Sequence, residues 1–326
     1  MSIPISWPIA RLRSVALLLV LSATAVVAAC GGGDATSPNP PPPAPPPPPP
    51  PPADIWSAVT QRSWTTPSVT ESYKCHTELV SSDKYYTGFR LASPSAVQTE
   101  LYVLVRPSVN QTGDFDCNFA AIGGGEAIYL AGAGTTQLEF TGGKGVHVAS
   151  GQYLMLVVHL NNTTSSDVSA STTIEGRVVT AKDVSTPIDM FIVGPLNLNI
   201  PADGAPHVVN GGCATGTETH LVAELPLMRS LGTHFALTAS LSAVNQTLFD
   251  TSLDPQHITY SLLTSDFDMQ SGSHINAACT FVNNTGVLVN FGESAQNEIC
   301  LDGIYRYPPK PPTSVSPLDC AVGNTI

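Results

Sequence analysis

Charge is scarce in this 326-residue chain: Asp, Glu, Lys and Arg make up 12%, with only 13 bases against 25 acids. The resulting net charge of -12 excludes the basic surface that nucleic acids and anionic membranes require. Sustained helical periodicity is missing as well. Beyond the N-terminus there is no run of about 18 apolar residues, so no further transmembrane helix is expected. Familiar catalytic signatures are also lacking. There is no G-x-S-x-G elbow and no P-loop; Gly123-Gly124-Gly125 is only a turn signal. Neither C-x-x-C nor a His-x-His or His-x-x-x-His pair occurs, so no compact thiolate or imidazole metal motif is present.

The first positive signal is for export. Arg11 and Arg13 precede an apolar core from Val15 to Val27, closed by Ala28-Ala29-Cys30 and three glycines. A basic head, a short apolar core and small residues at its end define a signal peptide. The small-small-Cys junction is similar to the bacterial lipobox. Residues 1–29 are therefore expected to be a lipoprotein signal peptide, with Cys30 lipidated and the chain anchored by that lipid to the bacterial cell envelope. An ordinary signal peptide or a short membrane anchor are the alternatives. Gly31 in place of Asp after the cysteine resembles the sorting rule for the outer membrane, facing the periplasm or the surface. Pro40 to Pro52 is nearly pure proline. Such a tract forms no core and adopts polyproline II, spanning roughly 40 Å. Residues 30–66 are expected to be a Gly/Pro-rich linker.

From Ser68 onward short strands alternate with turns. Leu101 to Val105 is an apolar run, Gly151 to Asn161 a strong strand, and Ser171 to Thr180 alternates with period two. Further strands are expected at Met190–Val193, His220–Leu227, His234–Leu241 and His257–Leu263. Val282 to Leu288 reads as two strand ends joined by Asn283-Asn284-Thr285-Gly286, residues that tolerate positive φ. Many short strands without intervening helices indicate sandwiches rather than βαβ units. Val158–Thr164 and Thr280–Gly286 are both apolar strand ends running into Asn-Asn-Thr, about 120 residues apart. That spacing hints at an internal repeat of one sandwich each.

The stretch Cys279 to Cys300, CTFVNNTGVLVNFGESAQNEIC, followed by LDGIYRYPP, carries a resemblance. Its pattern of C-T-F-x-N-x-T, F-G-E-S, a Glu and a final Cys, then Y-x-Y-P, resembles the C-terminal half of the copper type II ascorbate-dependent monooxygenases in their bacterial form. In the first half, GKGVHVASGQYLMLVVHLNN is similar to another segment of that family. The resemblance implies an all-β fold of two jelly-roll-like β-sandwiches in tandem, over 67–184 and 185–326, the second with a disulfide-pinned tail. It also implies two coppers, one on each sandwich, facing a solvent-filled cleft.

Carried over residue by residue, the copper ligands are mostly replaced. His159 falls on a ligand position of the first site. The adjacent His-His pair of that site falls on Thr99 and Glu100. At the second site the bacterial pattern P-H-M-H-x-L-G-x-x-F meets Pro226-Leu227-Met228-Arg229-Ser230-Leu231-Gly232-Thr233-His234-Phe235. Leu227 and Arg229 stand where the histidines would be, and Ile299 stands where the family has its methionine. A lone histidine does not hold catalytic copper, and a guanidinium places fixed positive charge where the ion would sit. The chain is therefore expected to have no cofactor and no catalytic residue. It is expected to act as a module for an unknown small molecule or protein partner. If the family activity were retained, the cofactor would be copper and the chain a monooxygenase. A rebuilt metal site from His147 and His159 on neighbouring strands, or copper carriage through Met155 and His159, are further alternatives.

Six cysteines remain besides Cys30, an even number that indicates disulfides in an exported chain. The resemblance implies the pairs Cys279–Cys300 and Cys213–Cys320, which leaves Cys75 with Cys117. Glu293 and Asp302 are a candidate acid–base pair, although Glu293 belongs to the scaffold pattern.

Overall fold

The computed structural model describes residues 56–135, 137–241, 244–310 and 316–321. The export signal, Cys30 and the proline tract lie outside the described residues. Strands dominate, with two short 3-10 turns at Phe119–Ile122 and Ala181–Asp183. No described helix is long and apolar enough to cross a membrane. The chain is all-β, with two jelly-roll-like sandwiches in tandem.

The two halves share one nine-stranded sheet. Its order is Ser261–Met269, Thr219–Met228, Cys300–Tyr307, Asp189–Val193, Glu126–Ala131, Gln98–Arg106, Tyr153–Asn162, Thr70–Leu79 and Gly113–Cys117. The first four strands come from the second half of the chain, and the last five from the first half. They meet where Met190 pairs with Ala127. A sheet of strands Trp56–Thr66, Val168–Val179, Lys84–Ser93, Lys144–Val148 and Thr186–Pro187 forms the other layer of the first half. The other layer of the second half is Pro206–Ala214, His274–Val282, Gly232–Leu241 and Val244–Ser252. Tyr153–Asn162 is buried along most of its length, because a central strand covered on both faces needs continuous rather than alternating apolarity. Each such Leu or Val contributes about 1.5–3 kcal/mol by leaving water.

Three expectations need correction. The linker expected over 30–66 ends sooner, because Trp56–Thr66 pairs along Val168–Val179. Its inward positions include Thr60, Trp64 and Thr66; threonine hides the apolar alternation that marks a strand. The strand expected from His257 starts at Ser261 instead. His257 sits in a turn held by Asp254. Finally, Val282 to Leu288 is not a hairpin. His274–Val282 lies in the outer sheet, while Val289–Asn290 pairs with Asn199–Ile200.

The disulfides are Cys75–Cys117, Cys213–Cys320 and Cys279–Cys300. Cys279 and Cys300 come from the two different layers of the second half, so their bond staples one sheet onto the other. Cys320 ties the C-terminal turn to the outer layer, and the Pro317 carbonyl accepts a bond from Ile192 N.

The repeat hinted at by the two Asn turns is real at the level of atoms. Asn162 Oδ1 accepts from Thr164 N and Oγ1, and its Nδ2 donates to the carbonyls of Thr66, Pro67 and Ser166. Asn283 Oδ1 accepts from Thr285 N and Oγ1, and its Nδ2 donates to the carbonyls of Ile200 and Val287. Each asparagine is a buried pin that fastens a strand end to the chain crossing beside it.

Candidate functional site

Five of the residues singled out by sequence line one cleft of about 330 Å³ between the two halves: Thr99, Glu100, Leu227, Arg229 and Ile299. The first wall comes from the start of Gln98–Arg106. There the register against Tyr153–Asn162 slips by one residue, between Gln98↔Leu160 and Glu100↔His159. Such a bulge sets two residues against one. Both Thr99 and Glu100 therefore reach the same histidine. Thr99 Oγ1 lies 2.6 Å and Glu100 Oε1 3.3 Å from His159 Nδ1.

His159 lies behind this wall, with no exposed surface. Its Nε2 is 2.8 Å from Glu71 Oε1. Tyr73, its cross-strand neighbour, stacks on the ring at 4.3 Å. Both imidazole nitrogens are therefore already partnered.

The second wall is built where Thr219–Met228 ends in a tight turn. Glu298 holds that turn: its carboxylate accepts from Arg229 N at 2.9 Å and from Leu231 N at 2.7 Å. Burial raises the Glu298 pKa, opposed by these bonds, to about 7. The clamp directs the Arg229 side chain across the cleft. Nη2 donates to Glu100 Oε1 at 2.6 Å and to Tyr73 Oη at 3.3 Å, and Nε lies 3.4 Å from Glu100 Oε2. On its other side Nη1 donates to the carbonyls of Ser294, Gly292 and Asn297 at 2.6, 3.0 and 3.4 Å. A second strut runs beside it. Glu71 of the first half accepts from Ser294 Oγ at 2.9 Å and from Ala295 N.

Arg229 and Glu100 are 8% and 3% exposed. Burial alone would raise Glu100. The hydrogen bond to His159 and the charge of Arg229 overcome it and hold the carboxyl at about 2. Burial works against the Arg229 charge too, but Glu100 outweighs it and lifts that pKa above its ordinary value. Tyr73 is raised by burial and by the Glu100 charge, so its phenol stays protonated. The result is a neutralised ion pair inside an oxygen cage.

These residues do not fit copper. Leu227 and Ile299 offer no donor atom, and a guanidinium has protons to give but no lone pair. The oxygens of Thr99 and Glu100 and both nitrogens of His159 are engaged with one another, with Arg229 or with Glu71. Among the described residues, no group of three or more His, Cys, Asp or Glu is arranged to hold a metal ion. His147 is not beside His159. It lies in the other sheet, on Lys144–Val148, stacked on Tyr85.

Glu293 and Asp302 do not pair either. Glu293 is exposed and contributes its carbonyl to Tyr73. Asp302 is fully buried against Glu224, on the neighbouring strand. Among the described residues no partner lies in hydrogen-bonding geometry to either Glu224 oxygen or to Asp302 Oδ2. Burial raises both carboxyls, and their mutual repulsion adds to the rise at Glu224.

Sequence reasoning missed Glu71, Tyr73 and Glu224, and marked Glu298 only as a pattern residue without a role. One signal was available. In a chain with so few charges, Glu100 and Arg229 each stand in an apolar run, TELYVLV and LPLMRSL. Buried charges need partners.

No protein-family profile matches the chain, and no curated protein matches it. Among solved structures, the structure of infectious bursal disease virus Gx strain is 10% identical, covers 78% of this chain and 72% of its own, and has a TM-score of 0.21. A Paenibacillus xanthan lyase is 12% identical, covers 78% of this chain and 26% of its own, and has a TM-score of 0.18. At these scores neither bears on the site.

Proposed function

We propose that this chain is a non-catalytic binding module on a copper type II monooxygenase-like scaffold, held at the bacterial cell envelope through Cys30. Its ligand enters the cleft between the two halves. One observation carries the proposal. Five of the six positions that the resemblance gives to metal ligands line a single cleft, with His159 behind its wall, yet the five hold the Arg229–Glu100 ion pair, a threonine and two aliphatic side chains. A guanidinium already supplies the positive charge there, and it is satisfied by Glu100, Tyr73 and backbone carbonyls. Incoming copper would have to displace that buried pair, at a cost of several kcal/mol. Glu100, the carboxylate lining the cleft, is held by Arg229 and His159 and so is not free to act as a general base.

The experiment is oxygen consumption by the purified chain with Cu(II) and ascorbate. Uptake no faster than that of copper and ascorbate alone is expected. Protein-dependent turnover that is lost when His159 is replaced would instead establish a monooxygenase.

A further inference from the structure

We infer that the cleft takes a neutral ligand with an aliphatic part and hydroxyl-type polar groups; this rests on the binding-module function proposed above. Its charges settle the first half of the inference. Arg229 and Glu100 are the charged side chains among the residues lining the cleft. They are spent on each other at 2.6 Å and on groups behind the walls. An anion would have to take Arg229 from a carboxylate that burial holds in place. A cation would have to take Glu100 from Arg229. Either exchange leaves a buried charge unpaired, which is strongly unfavourable.

The walls settle the second half. Leu227, Ile258 and Ile299 belong to one core cluster that backs the cleft, each at most 3% exposed, so the aliphatic contact they offer is narrow. An added Cβ at Gly132 would come within 2.9 Å of Ile258 Cδ1 and 3.0 Å of Leu227 Cδ2, so these side chains already close on one another around the glycine. The lining also carries the neutral polar side chains of Gln256 and Ser230, both exposed, and of Gln98, whose Oε1 accepts from Thr172 Oγ1 at 2.9 Å. Amide and hydroxyl groups both donate and accept, and so match hydroxyls. Among the described residues no aromatic side chain lines the cleft, so they offer no stacking platform of the kind planar or sugar rings use. The volume of about 330 Å³ lies at the lower end of ligand pockets, roughly 300–1,000 Å³, and so suits a small molecule.

Three six-carbon probes differing only at the head test the inference: 1,2-hexanediol, hexanoate and hexylammonium, titrated into the purified chain and followed by amide NMR shifts. The diol is expected to bind at about 1 mM, shifting residues on both walls. Hexanoate and hexylammonium are expected to bind at least about tenfold more weakly. Ala96→Trp, at the exposed rim, and Ala295→Trp should each weaken the diol by about tenfold or more while leaving the folded spectrum intact. Charged probes binding as tightly as the diol would overturn the inference. So would binding unaffected by either tryptophan, or no binding of the diol at about 50 mM, some fifty times the expected Kd. None of these outcomes involves copper, so the non-catalytic assignment stands or falls separately.

Discussion

Arg229 brings a fixed positive charge into a seat made almost wholly of oxygen atoms. Breaking such a pair by removing one partner is far costlier than replacing both. Arg229→Ala should therefore lose about 3–5 kcal/mol of unfolding free energy in urea. Arg229→Met combined with Glu100→Leu should lose less than either single change; additive losses would show that the two residues are not coupled. Glu100 also sets an acid limit. Its folded pKa of about 2 lies below the ordinary 4.5, so its contribution is present above about pH 4.5 and disappears as pH falls toward 2. Glu100→Gln should flatten the acid limb of a stability–pH profile, and an unchanged limb would contradict the pairing. Arg229 and Ile299 could be singled out from the residues around them, because Pro226, Leu231-Gly232 and the final cysteine mark their places. Glu100 as the partner of Arg229 could not. The two are 129 positions apart, and only the folded sheet brings them together.

Strands were legible wherever apolar residues run or alternate, as in Tyr153–Asn162 and Val168–Val179. Trp56–Thr66 was not, since its inward face is largely threonine. The sharing of one sheet by both halves was also hidden, because the ladder between Asp189–Val193 and Glu126–Ala131 has the single register pair Met190 with Ala127, and nothing local to either strand encodes the other. The Cys279–Cys300 segment marks an element correctly but not its shape: its cysteines join two layers, where a hairpin would join two neighbours. Closing a loop of 21 residues, the bond should contribute about 3 kcal/mol. Paired Cys279→Ser and Cys300→Ser changes should lower the urea midpoint accordingly. Asn162→Ala and Asn283→Ala should each cost about 1–3 kcal/mol through orphaned buried carbonyls. Similar losses at both would confirm that the repeated turn does the same work in each half.

At the scale of the whole molecule, buried acids make the fold favour mildly acidic conditions. Burial and the Asp189 charge raise Glu126 to about 8, and burial raises Glu298 to about 7. Glu224 and Asp302 are raised by the same cause. A carboxyl raised on folding contributes stability that is full below its unfolded pKa and is lost as pH rises through its folded one. Together with the acid limit from Glu100, this places maximum stability near pH 5. The melting temperature should fall by several degrees between about pH 5 and pH 9. Glu224→Gln with Asp302→Asn should reduce that slope, and a flat profile in the parent chain would contradict the raised carboxyls. Two halves fastened by Arg229 and Glu71 should also unfold in one transition.

The most direct test of the proposal that an ion pair stands where the resemblance places a metal is the copper content of the chain. The purified chain is loaded with Cu(II), desalted, and its bound copper measured by elemental analysis and electron paramagnetic resonance. No tightly held copper is predicted. About two coppers per chain with a type II signal, the number the resemblance implies, would contradict it.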